Sequence, residues 1–190
     1  TVTGWIRLEA LSPAAVHALA QAQGRDGDEL HRLTGGHPLF VQQVLAAAQE
    51  NFVELRQLLP PGAQARVEQL ANWTEVEFAR RAGEFAARKA GGFIREGHGD
   101  LHLGNLVMLD GVPTPFDAIE FNPALRHGDT MADAAFVFMD LWRHGLPRLA
   151  WRFASGYAER GGDHEGLALL PFFAVYRAMV RAQVAALRAR

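Results

Sequence analysis

Apolar residues recur at helical spacing over most of this chain. The predicted helices cover residues 14–23, 28–33, 39–59, 63–89, 129–144, 147–160 and 166–189. Proline and glycine set their limits, since Ser12-Pro13 opens the first helix, Pro60-Pro61 ends the third and Gly161-Gly162 precedes the last. Residues 5–11 alternate apolar and polar side chains and predict a short strand or an extended lead-in.

A short stretch in the middle of the chain has the pattern of β-structure. Gly91-Gly92 ends the preceding helix, and residues 93–96 predict a short strand. Residues 106–109 and 112–116 lie on either side of Asp110-Gly111, a pair typical of tight hairpin turns, and predict a β-hairpin. We therefore expect an α+β fold that is mostly α, with one small β-hairpin island between helices.

Composition and charge exclude several classes of protein. The chain has 190 residues, 49% of them hydrophobic and 21% charged, which suits one domain with its own core. A formal net charge of −2 gives no reason to expect a nucleic-acid or membrane partner. The lack of cysteine excludes disulfides and thiolate metal sites. Neither a transmembrane run nor a signal peptide is recognisable, so we expect a cytoplasmic protein.

Residues that can bind metals or carry protons crowd into the β island. The chain reads EGHGDLHLGN over residues 96–105 and FDAIEFN over residues 116–122. The candidate ligands are His98, Asp100, His102, Asn105, Asp117 and Glu120. Carboxylates and an amide oxygen suit Mg²⁺ or Mn²⁺, and the two imidazoles extend the choice to Zn²⁺. The alternative interpretation is an ordinary glycine-rich polar turn.

The segment His98 to Asn105 resembles the catalytic loop of the aminoglycoside phosphotransferase family of kinase-like enzymes, and residues 116–122 resemble its metal-binding segment. The likeness extends over about residues 48–190, the helical C-terminal lobe of that family. It implies that Asp100 is the catalytic base and that Asn105 and Asp117 hold Mg²⁺ against nucleotide phosphates. It further implies that His98 orients the loop and that Asp129 braces it by accepting backbone N–H bonds.

The N-terminal part of the chain departs from that family. Residues 1–47, with LTGGHPLFV at 33–41, resemble a helical segment of AAA-type and signal-transduction ATPases, but no Walker A sequence is present. No strand-rich lobe precedes the loop, and the chain has a single lysine, Lys89. We expect a helical head at 1–47 that packs on a kinase-like lobe at 48–190, as in a chimeric or truncated form.

Three functions are compatible with these features. The first is a metal-dependent hydrolase of small phosphodiesters and phosphotriesters, with Asp100 as the base and His102 as the alternative base. The second is an ATP-dependent phosphotransferase, and the third is a non-catalytic relic of one. We expect Glu120 and Asp129 to contact the metal-binding residues and not the metal itself. A lobe without its partner exposes an apolar face, so we expect a homodimer with Phe40, Val44 and Leu45 among its contacts.

Overall fold

A computed structural model describes residues 38–121 and 123–189. The strand predicted at 5–11 and the helices predicted at 14–23 and 28–33 lie outside the described residues, as does most of the predicted N-terminal head. The helices are α1 (Pro38–Leu58), α2 (Gln64–Arg80), α3 (Ala82–Ala90), α4 (Pro123–Arg126), α5 (Thr130–Arg143), α6 (Pro147–Gly161) and α7 (Leu170–Arg188). The strands are β1 (Ile94–Glu96), β2 (Leu106–Leu109), β3 (Val112–Pro115) and β4 (His127–Asp129).

These elements confirm a mostly helical α+β fold with a small β island, and the kinase-like identity of the lobe stays a prediction. In the described part of the chain, no helix combines the length and the apolar character needed to cross a membrane.

Helix α1 packs its apolar face against α7. Leu45, Ala48, Phe52 and Leu55 recur at helical spacing and are all buried. Met179 of α7 belongs to the same apolar cluster as Phe52 and Leu55. The long helix predicted between Pro38 and Pro60 is thus confirmed.

Helix α1 crosses the predicted boundary between residues 47 and 48 without a break, in agreement with the helix predicted over residues 39–59. The burial of α1 residues changes one expectation about the dimer contacts. Leu45 is only 7% exposed and lies in the main core cluster, and Val44 packs against that cluster. Leu45 is therefore not available for contact with a second copy, contrary to the expectation. The homodimer itself and the role of Phe40 stay predictions.

The helix predicted over residues 63–89 is divided in two. Arg81 stands between α2 and α3 with φ −104° and ψ 12°. Its guanidinium pairs with Glu77 at 3.2 Å and with Glu84 at 2.8 Å. The apolar spacing continues across this joint, so the pattern of hydrophobic residues carries no sign of the break.

The β island consists of two small antiparallel sheets. Strands β2 and β3 form the predicted hairpin, and the turn residues Asp110 and Gly111 have φ values of 50° and 79°. Positive φ at both positions is typical of the type I′ turn that Asp-Gly favours. Strand β1 pairs with β4, which aligns Ile94 with Asp129. The three residues of β4 are too few for an alternating pattern, so the sequence analysis missed that strand.

Helix α5 is the centre of the core and carries the β island on one side. Its residues from Ala134 to Leu141 are all buried, and it packs against both α6 and α7. Phe85 of α3 meets Phe172 of α7 with ring centroids 5.1 Å apart. Helix α5 also contacts the loop between β1 and β2.

A buried ion-pair triad ties α3 to this core. Two nitrogens of Arg88 lie 2.7 Å from the two carboxylate oxygens of Asp129. The same guanidinium donates to Asp163 at 2.5 and 2.9 Å. All three side chains are at most 5% exposed. The triad joins α3, the end of β4 and the turn that leads to α7.

Candidate functional site

The segment from Gly97 to Asn105, called the 97–105 loop below, joins β1 to β2 and is fastened to helix α5 by Asp133. One carboxylate oxygen of Asp133 accepts the backbone N–H of His98 at 2.7 Å, and the other accepts that of Gly99 at 3.1 Å. Arg177 of α7 lies 3.4 Å from the same carboxylate. The arginine offsets the negative charge, and the loop is held at its first turn.

Asp129 has a different role from the one expected. It was expected to brace the loop by accepting backbone N–H bonds, but its carboxylate pairs with Arg88. It also caps α5 by accepting the backbone N–H of Met131 at 2.8 Å. The bracing contacts come from Asp133, about one helical turn further along, so this expectation is corrected.

Two glycines of the loop occupy positions where a side chain has no room. A Cβ atom on Gly97 would lie 2.5 Å from a carboxylate oxygen of Asp133, and one on Gly99 would lie 2.9 Å from the carbonyl oxygen of Leu125. Gly99 also has φ +81°, a conformation that other residues rarely adopt. The close approach of the loop to its supports therefore requires glycine at both positions.

His98 uses both of its ring nitrogens within the protein. Nε2 lies 2.9 Å from the carbonyl oxygen of Phe116 and therefore donates, while Nδ1 accepts the backbone N–H of Asp100 at 3.4 Å. The carbonyl of His98 accepts the N–H of Ile119 at 3.0 Å. His98 thus holds the loop against residues 116–119. These contacts favour the orienting role expected for it over the role of metal ligand.

Asp100 carries the one carboxylate of the loop and is held from two sides. Nδ2 of Asn105 donates to the carbonyl oxygen of Asp100 at 3.0 Å and lies 3.3 Å from Oδ2. Nε2 of His102 lies 3.5 Å from the same Oδ2, and the Asp100 side chain is still 38% exposed. A carboxylate that is fixed but open to solvent has the properties of a general base.

The side chain of His102 is more enclosed than that of Asp100, which it faces. Its Nδ1 accepts the backbone N–H of Gly104 at 3.0 Å, so the neutral ring carries its proton on Nε2, facing Asp100. Its edge packs on the Phe136 ring, with centroids 5.6 Å apart. Burial holds the pKa of His102 below its ordinary value, the charge of Asp100 opposes this shift, and the charge of Arg181 adds to it. His102 therefore steadies Asp100 as a neutral ring.

Asn105 connects Asp117 to the loop. The carbonyl of Asn105 accepts the backbone N–H of Phe116 at 3.0 Å, so Asp117 follows directly on the bonded residue. Asp117 is exposed and has φ 60°, a conformation that costs a non-glycine residue about 1–3 kcal/mol. Since Asp100 takes Nδ2 of Asn105, Oδ1 is the atom that Asn105 offers to a cation. Glu120, a further candidate, is exposed.

The donor set suits Mg²⁺ or Mn²⁺ better than Zn²⁺. Within residues 38–121 and 123–189, no three His, Cys, Asp or Glu side chains are grouped so that they could hold a metal ion. A zinc site takes all or most of its ligands from such side chains. Mg²⁺ keeps several waters and needs few protein ligands when substrate phosphates complete its shell. Asp117 and Asn105 are residue types that such an ion takes as ligands.

Sequence reasoning missed the support from α5 and α7. Asp140 is 3% exposed and accepts the backbone N–H of Leu103 at 3.0 Å, so it holds the far end of the loop as Asp133 holds its start. Asp133 and Asp140 are two turns apart in an otherwise apolar helix, a spacing that places both on one face. The spacing of these two carboxylates is the sequence signal from which this support could have been predicted. Arg177 of α7, which pairs with Asp133, is itself only 9% exposed.

Curated relatives of this chain are mycobacterial. It is 39% identical over 122 residues to the uncharacterized protein Rv2004c of Mycobacterium tuberculosis H37Rv and, at the same identity, to the uncharacterized protein Mb2027c of Mycobacterium bovis. The alignment covers 64% of this chain and 23% of each relative, so the chain spans less than a quarter of their length. No family model matches the chain, and no solved structure matches it significantly.

Proposed function

We propose that this chain is a metal-dependent phosphoesterase that hydrolyses activated phosphodiesters and phosphotriesters at the 97–105 loop. The proposal rests chiefly on the carboxylate of Asp100, which is held by Asn105 and His102 while 38% of the side chain stays exposed. Asn105, which contacts this carboxylate, and Asp117 are residue types that hold Mg²⁺ beside a phosphate. The likeness of the loop to that of the aminoglycoside phosphotransferases assigns the same two roles.

Each residue has one task in the proposed reaction. Asp100 removes a proton from the attacking water while the new P–O bond forms and the P–O bond to the leaving group breaks. The leaving group departs as an oxyanion with the electron pair of the broken bond. Asn105 and Asp117 would hold a divalent ion that, when bound, stabilises negative charge on the phosphoryl oxygens. His102 keeps Oδ2 of Asp100 in position.

The contacts of the loop also limit the leaving group. Within the described part of the chain, neither histidine of the loop is free to protonate a departing oxygen, because His98 bonds to Phe116 and His102 faces Asp100. An alkoxide without a proton leaves slowly, whereas a phenolate of low basicity leaves readily. The proposal is therefore restricted to activated esters, such as those of phenols.

The test measures hydrolysis of an aryl phosphodiester with added Mg²⁺ or Mn²⁺. Asp100→Asn should lower kcat by about 10²–10⁴-fold, the usual contribution of a general base. Chelation should abolish turnover in the wild type, and Asp117→Asn should raise the metal concentration needed for half-maximal rate. Asp110→Asn is the matched control, since Asp110 is exposed in the hairpin turn. Equal rates in all four proteins would refute the proposal and identify the turnover as that of a contaminant or free metal.

An ATP-dependent phosphotransferase is the second candidate. Asp100, Asn105 and Asp117 would serve equally well with a hydroxyl acceptor and a nucleotide donor. The chain spans 23% of its relatives' length, so parts that hold a nucleotide can belong to other regions of a longer protein. Calorimetric titration with Mg·ATP separates the two candidates. Binding weaker than millimolar agrees with the phosphoesterase, whereas micromolar affinity or phosphate transfer to an alcohol supports the phosphotransferase. A chain with no turnover and no metal binding would be a non-catalytic relic.

A further inference from the structure

A concave surface outside the 97–105 loop lies between the C-terminal half of α5, the start of α6 and helix α7. Its volume is about 680 Å³, within the range of small-molecule sites. Phe138 packs against Trp142 and Trp151 with ring centroids 5.6 and 5.0 Å apart. We call this surface, with Ala174, Ala178 and Ala182 on its opposite wall, the tryptophan groove.

The groove leaves large aromatic rings uncovered. Trp142 is 50% exposed and Trp151 49% exposed, although each touches the buried Phe138. The alanines of α7 recur at every fourth position, and their small side chains leave space beside the two indole rings. Aromatic pairs prefer offset or edge-to-face contact, and a flat ring placed here would gain both kinds of contact.

One side of the groove is cationic and adjoins the 97–105 loop. Arg143 and Arg181 both line the groove. Nη1 of Arg143 lies 3.5 Å from one oxygen of Asp140, and the other oxygen of Asp140 accepts the N–H of Leu103. Arg181 is close enough to His102 for its charge to add to the effect of burial in lowering the pKa of that ring. Both arginines thus lie toward the loop that carries Asp100.

We propose that the tryptophan groove binds the aromatic group of an aryl phosphoester, while Arg143 and Arg181 receive its anionic phosphoryl end. Guanidinium groups match phosphate oxygens, and the indole rings match an aromatic body. This inference deepens the proposed function and rests on it for the identity of the reacting group. Sugar phosphates and small aliphatic phosphates would leave the indoles uncovered and bind weakly.

The experiment uses two phosphonates that cannot be hydrolysed, 1-naphthylphosphonate and methylphosphonate, in calorimetric titrations of the full chain. Burial of the ring should make the naphthyl compound bind at least about tenfold more tightly. Arg181→Gln should weaken naphthylphosphonate binding by about tenfold or more, the loss expected for a charge-assisted hydrogen bond. Arg160→Gln is the matched control, because Arg160 is exposed near the end of α6 and does not line the groove.

Equal affinity for the two phosphonates, or wild-type affinity in Arg181→Gln, would overturn the groove proposal. Tight naphthylphosphonate binding without hydrolysis of any ester would uphold the groove and refute the phosphoesterase. Hydrolysis of an activated aryl ester, together with equal affinity for the two phosphonates, would uphold the phosphoesterase and refute the groove. Trp142→Ala adds a check on the occupant, with a melting curve to establish that the variant folds. A change from dimer to monomer in this variant would assign the groove to a second copy of the chain and overturn the proposal.

Discussion

The carboxylate of Asp133 lies 2.7 Å from the backbone nitrogen of His98 and fixes where the 97–105 loop begins. Asp133 belongs to the central helix α5, and its carboxylate is paired with Arg177 of the last helix. The packing of the helical core therefore fixes the position of Asp100, two residues beyond His98, through the hydrogen bonds from the loop backbone to Asp133. The proposed base sits on a short irregular loop, yet its location depends on the packing of α5 against α7.

The first prediction concerns this support. Asp133→Ala should lower the free energy of unfolding by about 1–3 kcal/mol, because two partly buried backbone N–H groups and Arg177 lose their acceptor. It should also lower kcat of the proposed hydrolysis, since the loop would no longer hold Asp100 in place. Urea unfolding and steady-state kinetics measure the two effects, with Asp110→Ala as the control. A variant that matches the wild type in both would show that the loop holds its position without Asp133.

The second prediction concerns the buried triad. Arg88→Met should destabilise the protein by about 3–5 kcal/mol, because Asp129 and Asp163 would remain buried without their cation. Chemical unfolding at neutral pH measures the change. Arg56→Met is the matched control, since Arg56 pairs with Glu68 at the surface and should have a much smaller effect. Similar losses in the two variants would mean that the triad adds little beyond an exposed pair.

Local sequence signals predicted the elements whose causes are local. Asp110-Gly111 favours positive φ at both turn positions, and the hairpin forms there. The apolar faces of α1 and α5 predicted their burial because periodicity reports burial directly. Strand β4 depends on its pairing with β1, which lies more than 30 residues away in the sequence. The joint at Arg81 interrupts an apolar pattern that continues across it. Neither leaves a periodic trace in the sequence.

The candidate site likewise combines features that depend on the local sequence with features that depend on tertiary contacts. The glycine-rich motif brings Asp100 and Asn105 together within one loop, and the sequence predicted both. The tasks of His98 depend on the return of residues 116–119 to its ring, a tertiary contact that spacing alone cannot reveal. The exchange of Asp129 for Asp133 as the brace has a similar origin. Asp129 precedes α5 and Asp133 lies in its first turn. Asp129 pairs with Arg88, and Asp133 is the carboxylate that accepts from the loop.

The third prediction concerns the close packing of the loop. Gly97→Ala should destabilise the protein and lower the proposed activity, because the new methyl group would lie 2.5 Å from a carboxylate oxygen of Asp133 and displace it. Gly83→Ala in α3 is the control, since a Cβ there meets no atom within 4 Å. That change should raise stability by about 0.5–1 kcal/mol, the helix preference of alanine over glycine. Thermal melting of the two variants measures the contrast, and equal shifts would contradict the tight fit at Gly97.

The fourth prediction follows from the burial of His102, which lowers the pKa of the ring in the folded protein. The unfolded chain has an ordinary histidine pKa of about 6.5. Below that pH the His102 ring is protonated in the unfolded chain but stays neutral in the folded protein. The free energy of unfolding therefore decreases as the pH falls. The decrease ends once the pH has passed the lowered pKa of the folded protein.

His102→Gln removes this titration, so its stability should depend less on pH than that of the wild type below about pH 6.5. Urea unfolding at several pH values in this window measures the slope. His164→Gln is the matched control, because it replaces an exposed histidine outside the 97–105 loop. The sign of the slope decides between two states of the ring. Stability that rises on acidification in the wild type, and loses that rise in His102→Gln, would mean that Asp100 holds His102 as a cation. The ring would then be an acid able to protonate a leaving group, and the restriction to activated esters would no longer follow.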